Sequence, residues 1–129
     1  MLRAALAAVI LAAPLTQASA RPGDVDHPFV LKMRRGTDTI TVRGELRQNV
    51  DCCAYAFKAH AGQKLYWTER GATARIGLTY PDGDGVNPGL PSPADLPQDG
   101  RYIFIVSPNL MADGAFGPFT VTLRVPRRR

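Results

Sequence analysis

The stretch CAYAFKAHAGQKLYW, residues 53–67, gives the clearest indication of the fold. Every second residue from position 53 to position 61 is apolar, with a lysine and a histidine at two of the positions between them. A period of two residues is typical of a strand that buries one face. A turn around Gly62 follows, after which Leu65 and Trp67 resume the alternation. The stretch therefore predicts two short strands separated by a turn.

Five further segments show the same short alternation and end near glycine, proline or charged residues. One of them is apolar on both faces, because Ile103 and Ile105 alternate with Tyr102, Phe104 and Val106, and this pattern predicts a central strand. Together the segments predict an all-β fold, a single antiparallel β-sandwich of seven to eight strands. The five segments span residues 29–33, 40–46, 76–80, 102–106 and 119–125.

Residues 81–100 interrupt this pattern. The segment holds five prolines, four glycines and four aspartates in twenty residues. A short edge strand near residues 94–96 would be the eighth strand, because proline is tolerated at the edge of a sheet and not at its centre. A loop this long in a small domain is typically functional or mobile.

The first twenty residues predict an exported protein. Arg3 precedes an apolar run over residues 4–15, which is shorter than the roughly twenty residues of a membrane-spanning helix. The run ends at Ala18-Ser19-Ala20, the small-x-small pattern that a signal peptidase cleaves. We expect cleavage near Ala20 and a location in the periplasm or outside the cell, with no membrane span. The predicted units are a signal peptide at 1–20, a leader at 21–28, a β-sandwich domain at 29–125 and a basic tail at 126–129.

The chain is basic, with 16 Lys and Arg residues against 11 Asp and Glu and a formal net charge of +5. No predicted strand carries a basic stripe, and the dense cluster at residues 127–129 is a terminal tail, a position where charges are usually solvated. Together with export, this argues against a nucleic-acid partner. An anionic polymer of the cell envelope or an acidic protein suits the charge better.

Three motifs follow one another along the chain: YAFKAHAGQKL at residues 55–65, YPDG at 80–83 and LPQDGRY at 96–102. In this order they resemble the bacterial pre-peptidase C-terminal domain. The small periplasmic inhibitors of goose-type lysozyme are similar in the same features and in length. The resemblance covers roughly residues 29–125. It implies a β-sandwich and, from the inhibitors, a non-catalytic protein that binds a lysozyme.

The sequence departs from these inhibitors in the loop before the last strand. The resemblance implies an arginine-bearing segment there, which suits an acidic catalytic cleft. This chain instead has SPNLMADG at residues 107–114, without an arginine. We therefore expect Arg70, Arg75 and Leu110 to bind the partner, the arginines through acidic groups and Leu110 as an apolar anchor. The candidate docking loops are residues 69–75, 81–99 and 107–117.

The alternative function is an accessory module that binds an envelope polysaccharide, as the pre-peptidase domains suggest. Exposed aromatic side chains would serve this function, and Tyr66 and Phe116 are the candidates. Basic loop tips would favour the inhibitor instead.

The sequence predicts no enzymatic activity, no cofactor and no metal site. His27 and His60 lie far from any second histidine, cysteine or carboxylate at metal-ligand spacing, and no nucleophile motif is present. Residues 82–85, with Asp95 and Asp99 nearby, are the one candidate calcium loop. They fail the EF-hand pattern, because Asn87 and Pro93 stand where that loop needs Gly and Glu. An ordinary solvated turn is the favoured interpretation.

Cys52 and Cys53 are adjacent, which leaves three alternatives for an exported protein. They are two free thiols with Cys53 in the core, a vicinal disulfide, or a bridge to another chain. Adjacent Cα atoms lie about 3.8 Å apart, closer than in ordinary disulfides. In a regular strand the two side chains also point to opposite faces. Two free thiols are therefore the leading expectation, and a vicinal bridge requires a distorted backbone where the strand begins.

Overall fold

The structure is a computed structural model, and it describes residues 23–33, 37–49, 52–86 and 89–127. The predicted signal peptide and the last two residues of the basic tail lie outside these ranges. In the described part of the chain there is no helix that is long and apolar enough to cross a membrane. The strands are β1 Phe29–Val30, β2 Thr39–Leu46, β3 Ala54–Ala59, β4 Gln63–Gly71, β5 Ala74–Thr79, β6 Gly85–Val86, β7 Ala94–Leu96, β8 Gly100–Pro108 and β9 Gly117–Arg124.

The strands form two sheets, one in the order β1-β3-β8-β5-β6 and the other in the order β2-β9-β4-β7. This arrangement confirms the predicted all-β sandwich. One edge pair is parallel: β1 runs in the same direction as β3, with Phe29 opposite Tyr55. The chain before β1 is fixed beside the start of β3 by a hydrogen bond from the Ala54 N–H to the Gly23 carbonyl, at 2.7 Å. It therefore enters the sheet in the same direction as β3.

Strand β8 is central, as its two apolar faces predict. It lies between β3 and β5, and Tyr102, Phe104 and Val106 on its inner face are almost completely buried. Aromatic rings of both sheets pack against this row: Phe57 stacks on Tyr102 with 5.6 Å between ring centroids, and Trp67 meets Phe104 edge-on at 5.5 Å. The core is thus built around one face of β8.

The Pro-rich segment contains two short edge strands. The predicted strand at residues 94–96 is present as β7 and pairs with the start of β4, where Leu65 lies opposite Ala94. The second, β6, has only two residues and pairs with the end of β5. The sequence gives no sign of β6, because two residues are too few to display a period. With β6 added to the eight predicted strands, the strand count in the described residues is nine.

Three connections meet at one end of the sandwich, which we call the loop end: residues 47–49 with 52–53, residues 72–73, and residues 109–116. The strand registers require this, because β9 begins at Gly117 opposite Leu46, the last residue of β2. Near the same end Gly71, the last residue of β4, lies opposite Phe119, and β5 begins at Ala74 opposite Pro108.

The buried face of β3 can be tested at Phe57, which is 4% exposed. We expect Phe57→Ala to lower the free energy of unfolding by about 3–5 kcal/mol, since it removes a buried ring and leaves a cavity. Lys58→Ala, at the next and exposed position, should change it by less than about 0.5 kcal/mol. Urea titration measures both values. A loss below about 1 kcal/mol for Phe57→Ala would mean that the two faces of β3 are assigned the wrong way round.

Candidate functional site

The loop at residues 109–116 is fixed to the sandwich through Thr73. The Thr73 carbonyl accepts a hydrogen bond from the Asn109 N–H at 3.0 Å, and the Thr73 N–H donates to the Gly114 carbonyl at 2.7 Å. The Thr73 hydroxyl adds a third bond to the Asp113 carbonyl at 3.0 Å. Both ends of the loop are therefore held in place, which lowers the entropy cost of ordering it when a partner binds.

The tip of this loop is apolar and exposed. Leu110 is 71% exposed and Met111 is 91% exposed, and Phe116 at the end of the loop is 42% exposed. The Asn109 side-chain carbonyl accepts the Met111 N–H at 3.1 Å, which makes a tight turn at the tip. These are three of the six large hydrophobic side chains exposed in the described residues. Such a cluster indicates an interaction surface.

The two arginines predicted to bind the partner lie near this end but on opposite outer faces. The expected loop at 69–75 is mostly strand, because β4 continues to Gly71 and β5 begins at Ala74. Arg70 alternates with buried Trp67 and Leu65 on β4 and so faces outward from the four-stranded sheet. Arg75 precedes buried Ile76 on β5 and faces outward from the five-stranded sheet. They flank the loop end from two sides and do not form one cluster.

The segment at 81–99 does not join the loop end as a third docking loop. Asp82 lies in a turn at the opposite end of the sandwich, where the Gly83 N–H donates to the Tyr80 carbonyl. The chain then passes along the edge of β5, and Gly89 and Leu90 both donate to the Ile76 carbonyl at 3.0 Å. Of the three predicted docking loops, the structure brings together only the short turn at 72–73 and the loop at 109–116.

Cys52 and Cys53 form a vicinal disulfide in the connection between β2 and β3, with their Cα atoms 3.7 Å apart. The leading expectation of two free thiols is contradicted, although Cys53 does lie in the core as that alternative assumed. The backbone explains the difference: Cys53 has φ of +76°, so the chain is not extended there and the two side chains need not point apart. The Cys52 sulfur lies 3.4 Å from the Glu45 carbonyl oxygen.

Glu69 lies on β4 opposite Val121, two residues before the strand ends. Partial burial raises the pKa of its carboxyl, because the charged carboxylate loses water.

The candidate calcium loop is a hydrogen-bonded turn. One Asp82 carboxylate oxygen accepts the Asp84 N–H at 2.9 Å, and the other accepts the Gln98 side-chain amide at 2.9 Å. These bonds, the one from Asp84 first, lower the pKa of Asp82. Over the described ranges, no three His, Cys, Asp or Glu side chains lie close enough together to hold a metal ion. His27 lies 3.2 Å from Asp24 and His60 lies 3.6 Å from Asp99, as two separate pairs.

The two aromatic candidates lie on different surfaces. Phe116 belongs to the loop end, whereas Tyr66 lies on the outer face of the four-stranded sheet. There the guanidinium of Arg124 lies over the Tyr66 ring, 4.5 Å from its centroid. This aromatic–arginine pair is not visible in the sequence, because the two residues are brought together only by the pairing of β4 with β9.

Comparison with known proteins gives matches among solved structures only; no family model and no curated protein matches the sequence. The structure of PliG from Aeromonas hydrophila, a periplasmic inhibitor of g-type lysozyme, matches with a TM-score of 0.61 and 17% identity, over 76% of this chain and 95% of that one. The chain has the fold of this inhibitor. A mutant of the Escherichia coli PliG matches with a TM-score of 0.59, 22% identity and coverage of 76% and 96%. The Salmonella Typhimurium PliG matches with a TM-score of 0.59, 20% identity and coverage of 75% and 96%.

The resemblance inferred from the sequence motifs is thereby confirmed for the fold. All three matched proteins are periplasmic inhibitors of g-type lysozyme.

Titration of Asp82 distinguishes a hydrogen-bonded turn from a calcium site. Since its pKa is lowered, the carboxylate form stabilises the native turn at pH values above the ordinary Asp pKa, and that stability is lost as the pH falls through the lowered value. We expect an NMR titration of Asp82 to give a pKa below the ordinary value, unchanged by millimolar Ca²⁺. A clear further decrease of this pKa on adding Ca²⁺, together with shifts at Asp84 and Asp99, would contradict the hydrogen-bonded turn and support a calcium site.

Proposed function

We propose that this protein is an exported, non-catalytic inhibitor of a goose-type lysozyme, which it binds through the loop end. The observation that carries the proposal is the anchored loop at 109–116, which exposes Leu110 and Met111 side by side at its tip. The fold shared with periplasmic inhibitors of g-type lysozyme supports the choice of partner. Under this proposal the protein acts in the periplasm or outside the cell.

The mode of binding follows from the chemistry of the tip. Leu110 and Met111 have no charge to offer the carboxylates on which glycosidases depend. They would instead occupy an apolar part of the enzyme cleft and exclude water and substrate from it. A central apolar anchor surrounded by polar contacts is the usual distribution of binding energy in a protein interface. Met111 adds a flexible side chain that adapts to an irregular surface.

Arg70 and Arg75 are suited to the rim of this interface, since they flank the loop end on its two sides. Long arginine side chains at a rim attract an acidic cleft and can make charge-assisted hydrogen bonds with carboxylates. In this arrangement the two arginines contribute mainly to the rate of association, and the apolar tip contributes mainly to the lifetime of the complex.

The role of the tip is tested by the double variant Leu110→Ser and Met111→Ser. We expect it to weaken binding to a goose-type lysozyme by about a hundredfold, as the loss of a central apolar anchor does. Val25→Ser is the matched control, since Val25 is an exposed apolar residue outside the loop end and is 51% exposed. Calorimetry measures the affinity of each variant for the lysozyme, and an assay of cell-wall lysis measures its inhibition. Unchanged binding by the tip variant, with the wild type active, would place the interface elsewhere.

The role of the arginines is tested by reversing Arg70 and Arg75 to Glu, singly and together. We expect the double variant to abolish a detectable complex, and wild-type binding to weaken as salt is added. Lys58→Glu and Arg101→Glu together are the control, because they reverse the same number of charges away from the loop end. If neither the double reversal nor salt changes the affinity, the inhibitor proposal fails and polysaccharide binding becomes the better function.

A further inference from the structure

The outer face of the four-stranded sheet carries arginine and threonine in register. Residues on β2, β9 and β4 that lie opposite one another form three rows across the sheet. Because alternate residues of a strand share a face, all three rows project to the same side. The rows are Arg43–Thr120–Arg70, Thr41–Thr122–Thr68 and Thr39–Arg124–Tyr66.

The three arginines of this face have no acidic partner. Within the described ranges, the ion pairs involve other cations: Glu45 pairs with Arg47 at 2.6 Å and Asp95 pairs with Lys64 at 3.6 Å. Arg43, Arg70 and Arg124 appear in none of them. Three unneutralised positive charges on one flat face produce a local positive potential, which attracts an anionic ligand.

A shallow groove of about 340 Å³ crosses the same face. It is lined by residues that include Thr39, Thr68, Thr122, Tyr66 and Arg124. The guanidinium carbon of Arg124 lies over the Tyr66 ring, 4.5 Å from its centroid. The contact orients Arg124 without using its N–H donors, so these remain available at the edge for a carboxylate or sulfate group.

The polar character of the face points to a polymer of sugars and not to a protein. None of the exposed large hydrophobic side chains in the described part of the chain belongs to the three rows, so the face lacks the apolar anchor of a protein interface. Threonines on neighbouring strands are separated by the strand spacing of about 4.8 Å. Arg43 and Arg70 are separated by two such strand spacings. An extended chain with many hydroxyls and regularly spaced negative charges matches this pattern.

We propose that this face is a second binding site, and that it takes an anionic polysaccharide. Arg124 and Tyr66 hold one acidic sugar in the groove, and Arg43 and Arg70 contact further charges along the polymer. The threonine hydroxyls between them exchange hydrogen bonds with sugar hydroxyls. The site lies on the sheet and is separate from the apolar tip at Leu110 and Met111.

The probe for this proposal is polygalacturonate, a polymer of acidic sugars, with dextran as the neutral polymer and a DNA duplex as a polyanion without sugar carboxylates. We expect the protein to bind polygalacturonate, with an affinity that falls with salt, and not to bind dextran. Reversing Arg43 and Arg124 to Glu should weaken the binding by about tenfold or more. Thr68→Val, which removes a hydroxyl without changing charge, should weaken it by a smaller factor.

The control is the pair Lys58→Glu and Arg101→Glu, two exposed cations that lie opposite each other on β3 and β8. This pair changes the net charge by the same amount on the other sheet. Equal losses for the two double variants would overturn the proposal, since net charge alone would then explain the binding. No binding to polygalacturonate, or equal binding to the DNA duplex, would also overturn it. Arg124 lies in the row farthest from the loop end, so the single variant Arg124→Glu should weaken polygalacturonate binding and leave lysozyme inhibition unchanged. This separates failure of this proposal from failure of the inhibitor function.

Discussion

Burial of the inner face of β8 determines how the two sheets pack against each other. Tyr102, Phe104 and Val106 can be buried only if both sheets cover them, and the rings of Phe57 and Trp67 come from different sheets to do so. Among the described residues of the loop end, only Cys53, Ala72 and Ala115 are buried, so most of these connections lie outside the core. They can therefore present exposed apolar side chains without loss of the fold.

The fold was predictable from the sequence wherever a strand is long enough to show its period. Strands β3 and β9 each alternate over six or more residues and bury the face that the alternation predicts, and β8, which is apolar on both faces, is central as predicted. Neither the partners nor the lengths of the two-residue strands β1 and β6 were predictable. Pairing at the edge of a sheet depends on where a neighbouring strand has an unpaired edge. The strand end at Glu69 and Arg70 was mistaken for a loop because both side chains are exposed, so no buried residue marks the face.

The candidate site was predictable only in part, for a related reason. Leu110 was predictable because an apolar residue within a polar loop can be recognised from the sequence alone. The separation of Arg70 from Arg75 was not predictable from the sequence. The two residues are close along the chain, but they lie on the outer faces of two different sheets. The reverse holds for Arg43, Arg70 and Arg124, which are far apart in sequence and share one face. No strand carries a basic stripe by itself, and the positive face arises from register.

The two proposed surfaces rely on different forces, although they share a border. Burial of the tip at Leu110 and Met111 is an apolar effect that salt at moderate concentration barely alters, whereas attraction to the sheet face is electrostatic and is screened by salt. Arg70 lies one residue before the end of β4 and also in the row of Arg43, so it belongs to the border. A polymer bound across the sheet would thus end beside the loop that contacts an enzyme. Binding of one ligand should then affect the other through Arg70 alone, and the coupling should vanish when that side chain loses its charge.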